Sequence, residues 1–310
     1  MHEILRRIEQ ITSVAVDGGD GPMVTARDAA TVMLVRDAPD LHVFMLRRSL
    51  NADFVGGAHV FPGGAVDPDD RLAEVEARAP GSSDSDASRL LGRPSGGLGF
   101  WVAAIRESFE EAGVLLAHRR APAEPVDLAD PEVAGRFERA REALNGRRLR
   151  FVDLLADEDL VLDVTSLHVF SHWITPVGMP RRYDTWFFVA EAPEGHAYLH
   201  DDMETIESTW VRPADAIERS RNGEVELIFP TFKNLEALCR FDTAAALVDY
   251  VRTASDVGLT QPRIVKDATG VRLLLPGDTG YDDAIDPPDG SVDPHQIADV
   301  LTSTPRESTA

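Results

Sequence analysis

A chain of 310 residues with 43% apolar side chains has enough hydrophobic material for one large packed domain or two small ones, which argues against global disorder. The 53 acidic against 31 basic residues leave a formal charge of −22, and such a surface repels nucleic acid and anionic membrane alike. Cys239 is the only cysteine, so no intramolecular disulfide forms. Residues 1–10 lack the apolar stretch of a signal peptide, and no run approaches the ~20 apolar residues of a membrane helix, so the cytoplasm is the expected compartment. In chain order, residues 1–11 predict a short amphipathic helix and 12–26 a loop. Apolar, β-branched runs at 31–36 and 41–46 flank the turn Asp37-Ala38-Pro39-Asp40 and read as a hairpin. Glycine pairs at 56–57 and 63–64 bracket a short strand over 58–61. Residues 80–99 are rich in Ser, Gly and Asp, a composition that predicts a mobile lid near a pocket. Helices are expected over 99–112 and over 130–145, the second with Pro131 near its start. Strands are expected over 167–175, 186–190 and 208–211, and helices over 213–221 and 231–253. A hairpin over 263–275 turns through Asp267-Ala268-Thr269-Gly270, and the Pro/Asp/Gly-rich tail after Tyr281 is expected to fray. There is no internal repeat. Strands interleaved with helices indicate an α/β or α+β layered fold.

The informative stretch is Arg106-Glu107-Ser108-Phe109-Glu110-Glu111-Ala112-Gly113-Val114. On a helix, at about 100° per residue, Glu107, Glu110 and Glu111 share one face. Ala103 and Ala104 lie on that face one turn earlier, so nothing bulky crowds it, while Val102, Ile105, Phe109 and Ala112 fall on the opposite face and can bury against a sheet. Gly113 follows as the expected C-terminal cap. Three carboxylates this close repel one another, and hard divalent cations such as Mg²⁺ or Mn²⁺, which prefer oxygen ligands, relieve that repulsion. Taken alone, the triplet also fits a solvated acidic helix face. Upstream, Phe61-Pro62-Gly63-Gly64 supplies paired glycines that let backbone come close to a bound anion.

Together these residues resemble the Nudix box, G-x5-E-x7-R-E-U-x-E-E-x-G-U with U a bulky apolar residue. Gly64 matches the opening glycine, and Arg106, Glu107, Glu110, Glu111, Gly113 and Val114 match the second half. Asp70 stands where the family has Glu, 35 residues rather than seven separate it from Arg106, and Ser108 replaces a bulky residue. These departures bear on the carboxylate that braces Arg106 and leave the metal ligands as the family has them. The interrupted box, with Arg47-Arg48-Ser49 and residues 54–61 ahead of it, resembles the Nudix branch that includes the peroxisomal coenzyme A diphosphatase of animals. Matching segments at 104–116, 172–176, 183–188 and 275–281 extend the resemblance over residues 28–281. A signature of coenzyme A-cleaving members, R-x3-G-x3-F-P-G-G, fits at Gly57 and Phe61 but has Asp53 at its arginine.

The resemblance implies an α/β/α sandwich with a mixed central sheet over residues 27–281. An insertion around 71–98 interrupts it, an N-terminal helix and loop (1–26) precede it, and a flexible tail (282–310) follows. It implies that Glu107, Glu110 and Glu111 hold Mg²⁺ or Mn²⁺, that Arg106 braces the box, and that the substrate is a small-molecule diphosphate. Coenzyme A or an acyl-coenzyme A stands first; ADP-ribose, NADH or a nucleotide sugar is the alternative, and a nucleotide-sensing module without turnover is the rival from a different class. Glu204 is the candidate general base or extra ligand, with Glu207 nearby. Gly63, Gly64, Arg48 and His59 are the substrate-contacting candidates. Cys239, set among Leu235, Leu238 and Phe241, reads as core. A homodimer is left open.

Overall fold

The computed structural model describes residues 24–49, 56–121, 123–196, 198, 200–201, 204–253, 257–267, 270–288 and 290–292. The expected helix over 1–11, Asp53, the centre of the turn at 268–269 and the end of the tail lie outside the described residues.

The strands are β1 (Arg27–Asp37), β2 (Leu41–Arg48), β3 (His59–Val60), β4 (Gly63–Ala65), β5 (Ala117–Arg119), β6 (Leu160–Leu162), β7 (His168–Ile174), β8 (Tyr183–Glu191), β9 (Thr205–Val211), β10 (Leu259–Thr260), β11 (Arg263–Asp267) and β12 (Gly270–Leu274). Between them run the helices α1 (Ala73–Glu76), α2 (Asp84–Leu90), α3 (Leu98–Ala112), α4 (Pro131–Asn145), α5 (Phe151–Asp157), α6 (Pro213–Arg221), α7 (Phe229–Leu238) and α8 (Ala244–Thr253). A 3-10 turn, Pro68–Arg71, follows β4.

The central sheet is mixed, in the order β10-β7-β8-β1-β2-β3, with β4 also paired to β1 and β9 to β2. Strand β1 organises it. Along one edge it runs parallel to β8 over nine register positions. Along the other, its first half pairs with β4 and its end pairs with β2 through the expected hairpin.

Alternation along the strands assigns two cores. Ala30, Val32 and Leu34 of β1, with Phe188 and Ala190 of β8, pack with Phe100, Val102, Ile105 and Phe109 of α3. Met33 and Val35, with Phe187 and Val189, pack on the other side with Ile217 of α6, Phe232 and Leu235 of α7 and Leu247 of α8. Each fully buried Val, Leu or Phe contributes about 1.5–3 kcal/mol of transfer free energy, so both layers anchor the sheet. This is the sandwich expected from the resemblance. No helix among the described residues is long and apolar enough to cross a membrane.

Four expectations are corrected. Residues 80–98 do not form a mobile lid. Val75, Ala79, Ala87, Leu91 and Leu98 are buried in the first core. Asp84 accepts the Gly96 and Leu98 N–H groups, at 2.9 and 3.1 Å, and so ties α2 to the start of α3. Few apolar residues are present, but they are spaced to bury together, which composition alone conceals.

The helix expected over 231–253 is two. It breaks at 239–243, where Asp242 gives its carbonyl to the Leu41 N–H and Asp37 accepts the N–H of Ala244 at 2.8 Å. Cys239 lies at that break and is exposed rather than core. The tail is anchored at one described point, since Val292 is buried with Met179 and Ile264 and its N–H reaches the Gly178 carbonyl.

Candidate active site

Helix α3 ends as its sequence predicts: Gly113 has φ 67°, and the N–H groups of Gly113 and Val114 close back on Phe109 and Ser108. The expected division into an apolar and an open face does not hold. Ala103, Ala104, Ser108 and Glu111 are buried as completely as Val102 or Phe109. Strand β4 and the 3-10 turn cover the side that a two-layer reading leaves open.

Strand β4 sets the first contacts. The Gly63 N–H donates to Glu111 Oε2 at 3.0 Å. At Gly64 a Cβ atom would stand 2.5 Å from the Glu107 carboxylate, so any other residue would displace that carboxylate. The paired glycines therefore act here by their lack of side chains.

Arg106 is the hub of the box. Its Nε and Nη2 donate to the two oxygens of Asp70 at 2.9 and 3.0 Å, and Nη2 also reaches the Ala65 carbonyl at 2.8 Å. Its Nη1 holds Glu107 at 2.8 Å and Glu110 at 3.0 Å. Asp70 sits on the 3-10 turn and is fixed by the Asp67 N–H at 2.8 Å. The bracing carboxylate thus survives both the shorter side chain and the 35-residue separation, because the turn carries it inward and the insertion folds away between its ends.

Burial raises the Glu107 carboxyl to about 7, against the pull of Arg106 and with the push of Glu110. Burial also raises Glu110, again opposed by Arg106. Glu111 is pushed well above the ordinary carboxylate range by burial and then by Glu107, while the Gly63 N–H and Arg48 act the other way. These are hard oxygen donors short of positive charge, which fits a divalent cation. In the arrangement seen, no three acidic, imidazole or thiol groups among the described residues converge on one point. Arg106 Nη1 occupies Glu107 and Glu110, and Glu111 faces Gly63. Glu107, Glu110 and Glu111 are the residues that would hold a divalent cation, which would supply the positive charge these carboxylates lack.

A cavity of about 560 Å³ opens on this wall. Glu107, Glu110, Glu111, Gly63, Gly64, Arg48 and Glu204 all line it. Arg48 and Thr205 are register partners across β2 and β9, which brings Arg48 and Glu204 to one edge of the cavity. Glu204 lies near enough to Glu111 to raise it, and its own N–H is held by Asp201 at 3.1 Å. Glu207 lies one strand register away and pairs with Arg47 at the surface.

His59 is not among the lining residues. It is buried on β3, its imidazole lowered by burial and only partly restored by Glu207, and alternation puts Val60 at the cavity instead. His59 thus sits behind the cavity lining rather than in it. The sequence reading missed Asp67, Asn145, Arg147 and Asp201, and it missed Trp173, Phe187 and Phe229, which line the cavity with Phe61. Trp173 and Phe229 meet edge to face at 6.0 Å. Alternation on β7 could have flagged Trp173, which sits in the 172–176 segment; Arg147 had no local signal but its place after a helix.

A family description, the NUDT19 Nudix domain, matches residues 84–238. The chain is 32% identical to a protein of Gallus gallus named acyl-coenzyme A diphosphatase NUDT19, over 82% of this chain and 79% of that one. It is 31% identical to the Homo sapiens protein of the same name, over 79% of this chain and 73% of that one. Among solved structures, a NUDIX hydrolase from Alicyclobacillus acidocaldarius superposes with a TM-score of 0.58 at 27% identity, covering 76% of this chain and all of that one.

Proposed function

We propose that this chain, which belongs to the Nudix family through its NUDT19 Nudix domain, hydrolyses the diphosphate of coenzyme A or an acyl-coenzyme A. The observation that carries the reading is the set of three glutamates, Glu111 buried and Glu107 and Glu110 half-buried, lining one cavity together with aromatic side chains. The names of the relatives supply the substrate.

Glu107, Glu110 and Glu111 would hold Mg²⁺ or Mn²⁺. Bound there, the cation neutralises the diphosphate and makes its phosphorus open to attack by water. Arg106, fixed by Asp70, keeps the carboxylates in register. Gly63 holds Glu111 by its N–H, and Gly64 allows close approach. Glu204, at the cavity edge beside Arg48, is placed to take the proton of the attacking water. One P–O bond of the P–O–P bridge breaks as the water oxygen bonds to phosphorus. The products are a phosphopantetheine, free or acylated, and adenosine 3′,5′-bisphosphate. The aromatic side chains lining the cavity suit the apolar length of a pantetheine or acyl arm.

A panel of coenzyme A, a medium-chain acyl-coenzyme A, ADP-ribose and a nucleoside triphosphate, assayed with Mg²⁺ and with Mn²⁺, tests the reading. The expected result is turnover of the first two well above the others and none with chelator. Comparable or better turnover of ADP-ribose rejects the substrate, and no turnover of any diphosphate rejects the enzyme.

A further inference from the structure

Helix α4 ends at Asn145, and the chain leaves it through a left-handed residue. The Arg147 N–H bonds to the Leu144 carbonyl at 2.8 Å and the Arg148 N–H to the Ala143 carbonyl at 2.7 Å, the paired bonds of a Schellman ending. The left-handed position in that ending is the one glycine fills without strain. Here the glycine, Gly146, comes one residue early, and Arg147 itself carries φ 53°. A strained non-glycine residue retained where the adjacent residue is glycine points to its side chain, because such strain concentrates at ligand sites.

That side chain lies at a junction. The 560 Å³ cavity continues into a second one of about 290 Å³, and the two share Asp67, Arg106, Glu110, Leu144 and Arg147. Arg106 is committed to Asp70, Glu107 and Glu110, and Arg150, on the far side of the second cavity, is paired with Asp153. The Arg147 guanidinium has no hydrogen bond or ion pair to a described residue, in a chain with 22 more acidic than basic side chains. A planar guanidinium that declines every carboxylate nearby is suited to a phosphate.

We infer that Arg147 is an anion-binding arm that holds the phosphate of the substrate outside the reacting diphosphate, the 3′-phosphate of the adenosine half. The inference rests on the coenzyme A reading above. The diphosphate belongs against Glu107 and Glu111, and Arg147 lines both the first cavity and the second. Arg147 is thus a specificity-determining residue. Its contact is the same in ground and transition states, so it lowers KM without raising kcat.

The test is Arg147→Gly, which relieves the left-handed strain, with Arg147→Asn as a second variant that tolerates the same backbone. Both are expected to keep or raise Tm. Calorimetric affinity for adenosine 3′,5′-bisphosphate, measured without turnover, is expected to fall at least about tenfold, and KM for coenzyme A to rise by a similar factor with kcat within about twofold. KM for 3′-dephospho-coenzyme A is expected to stay at the wild-type value. Unchanged bisphosphate affinity in the variants, no binding by the wild type, or an equal KM rise for the dephospho compound overturns the inference. Loss of bisphosphate binding in the variants, combined with no hydrolysis of coenzyme A by the wild type, rejects the proposed function and overturns the substrate role of Arg147, leaving only its binding of the bisphosphate.

Discussion

At the scale of single residues, Glu111 separates catalysis from folding. It is 4% exposed, accepts the Gly63 N–H, and is pushed upward by burial and by Glu107. A carboxyl raised in the folded state supports stability below its unfolded value, near 4.3, and that support is lost as pH rises through the folded value. Metal-free protein should therefore lose stability as pH climbs above about 4.3, and Glu111→Gln should flatten that slope. The amide keeps an oxygen for Gly63, so metal-free stability at pH 7 should hold or rise. Activity at saturating Mn²⁺ should fall by orders of magnitude, since charge stabilisation by a metal supplies several kcal/mol of barrier reduction. Denaturation of the chelated variant and turnover of the loaded one check both halves; retained turnover would sink the metal assignment. The motif made the three glutamates and Arg106 legible in the sequence, because i, i+3, i+4 spacing and a family pattern are local. What it hid was how far they are enclosed, which depends on β4 and the 3-10 turn arriving from elsewhere in the chain. The place of His59 behind the cavity lining was hidden for a related reason: one residue of strand register decides which side of β3 faces the cavity.

At the scale of elements, the insertion is the feature most at odds with its composition. Its Ser, Gly and Asp residues suggest a solvated loop, yet Ser83 caps α2 and accepts the Asp86 N–H at 3.1 Å. Asp84 holds two backbone N–H groups at the entry to α3. Polar residues here satisfy backbone donors, a role that composition cannot distinguish from solvent exposure. Leu98 is buried at the first turn of α3. Leu98→Ala should cost about 2–5 kcal/mol, the range for a buried leucine in a packed core. Asp84→Ala should cost about 1–3 kcal/mol by leaving donors unsatisfied. Urea unfolding gives both values, and losses under about 0.5 kcal/mol for each would restore the view of a loosely attached lid. The hairpin of β1 and β2 and helices α3, α4 and α6 were legible from periodicity and turn residues. The break between α7 and α8 was not, because Asp37, some 200 residues upstream, supplies the cap that ends the helix pattern there.

At the scale of the whole molecule, the two cores and the cavity sit inside a strongly negative surface. The formal charge of −22 repels an anionic substrate at long range, while Arg48, Arg147 and a bound cation attract it only close in. The Debye length shortens from about 30 Å at 0.01 M salt to about 8 Å at 0.15 M. Added salt should therefore remove the distant repulsion first and leave the short-range attraction inside the cavity largely intact, because partly buried charges are screened less. With metal saturating, kcat/KM for coenzyme A should rise about two- to fivefold between 0.01 and 0.15 M KCl while kcat stays level, since the field acts on encounter and not on the bound complex. A substrate with fewer charges, the 3′-dephospho compound, should show a smaller rise, because the repulsion scales with ligand charge. A steady fall in kcat/KM over the same range would mean that the basic residues of the cavity dominate the field at a distance, and that the surface charge has no part in governing access.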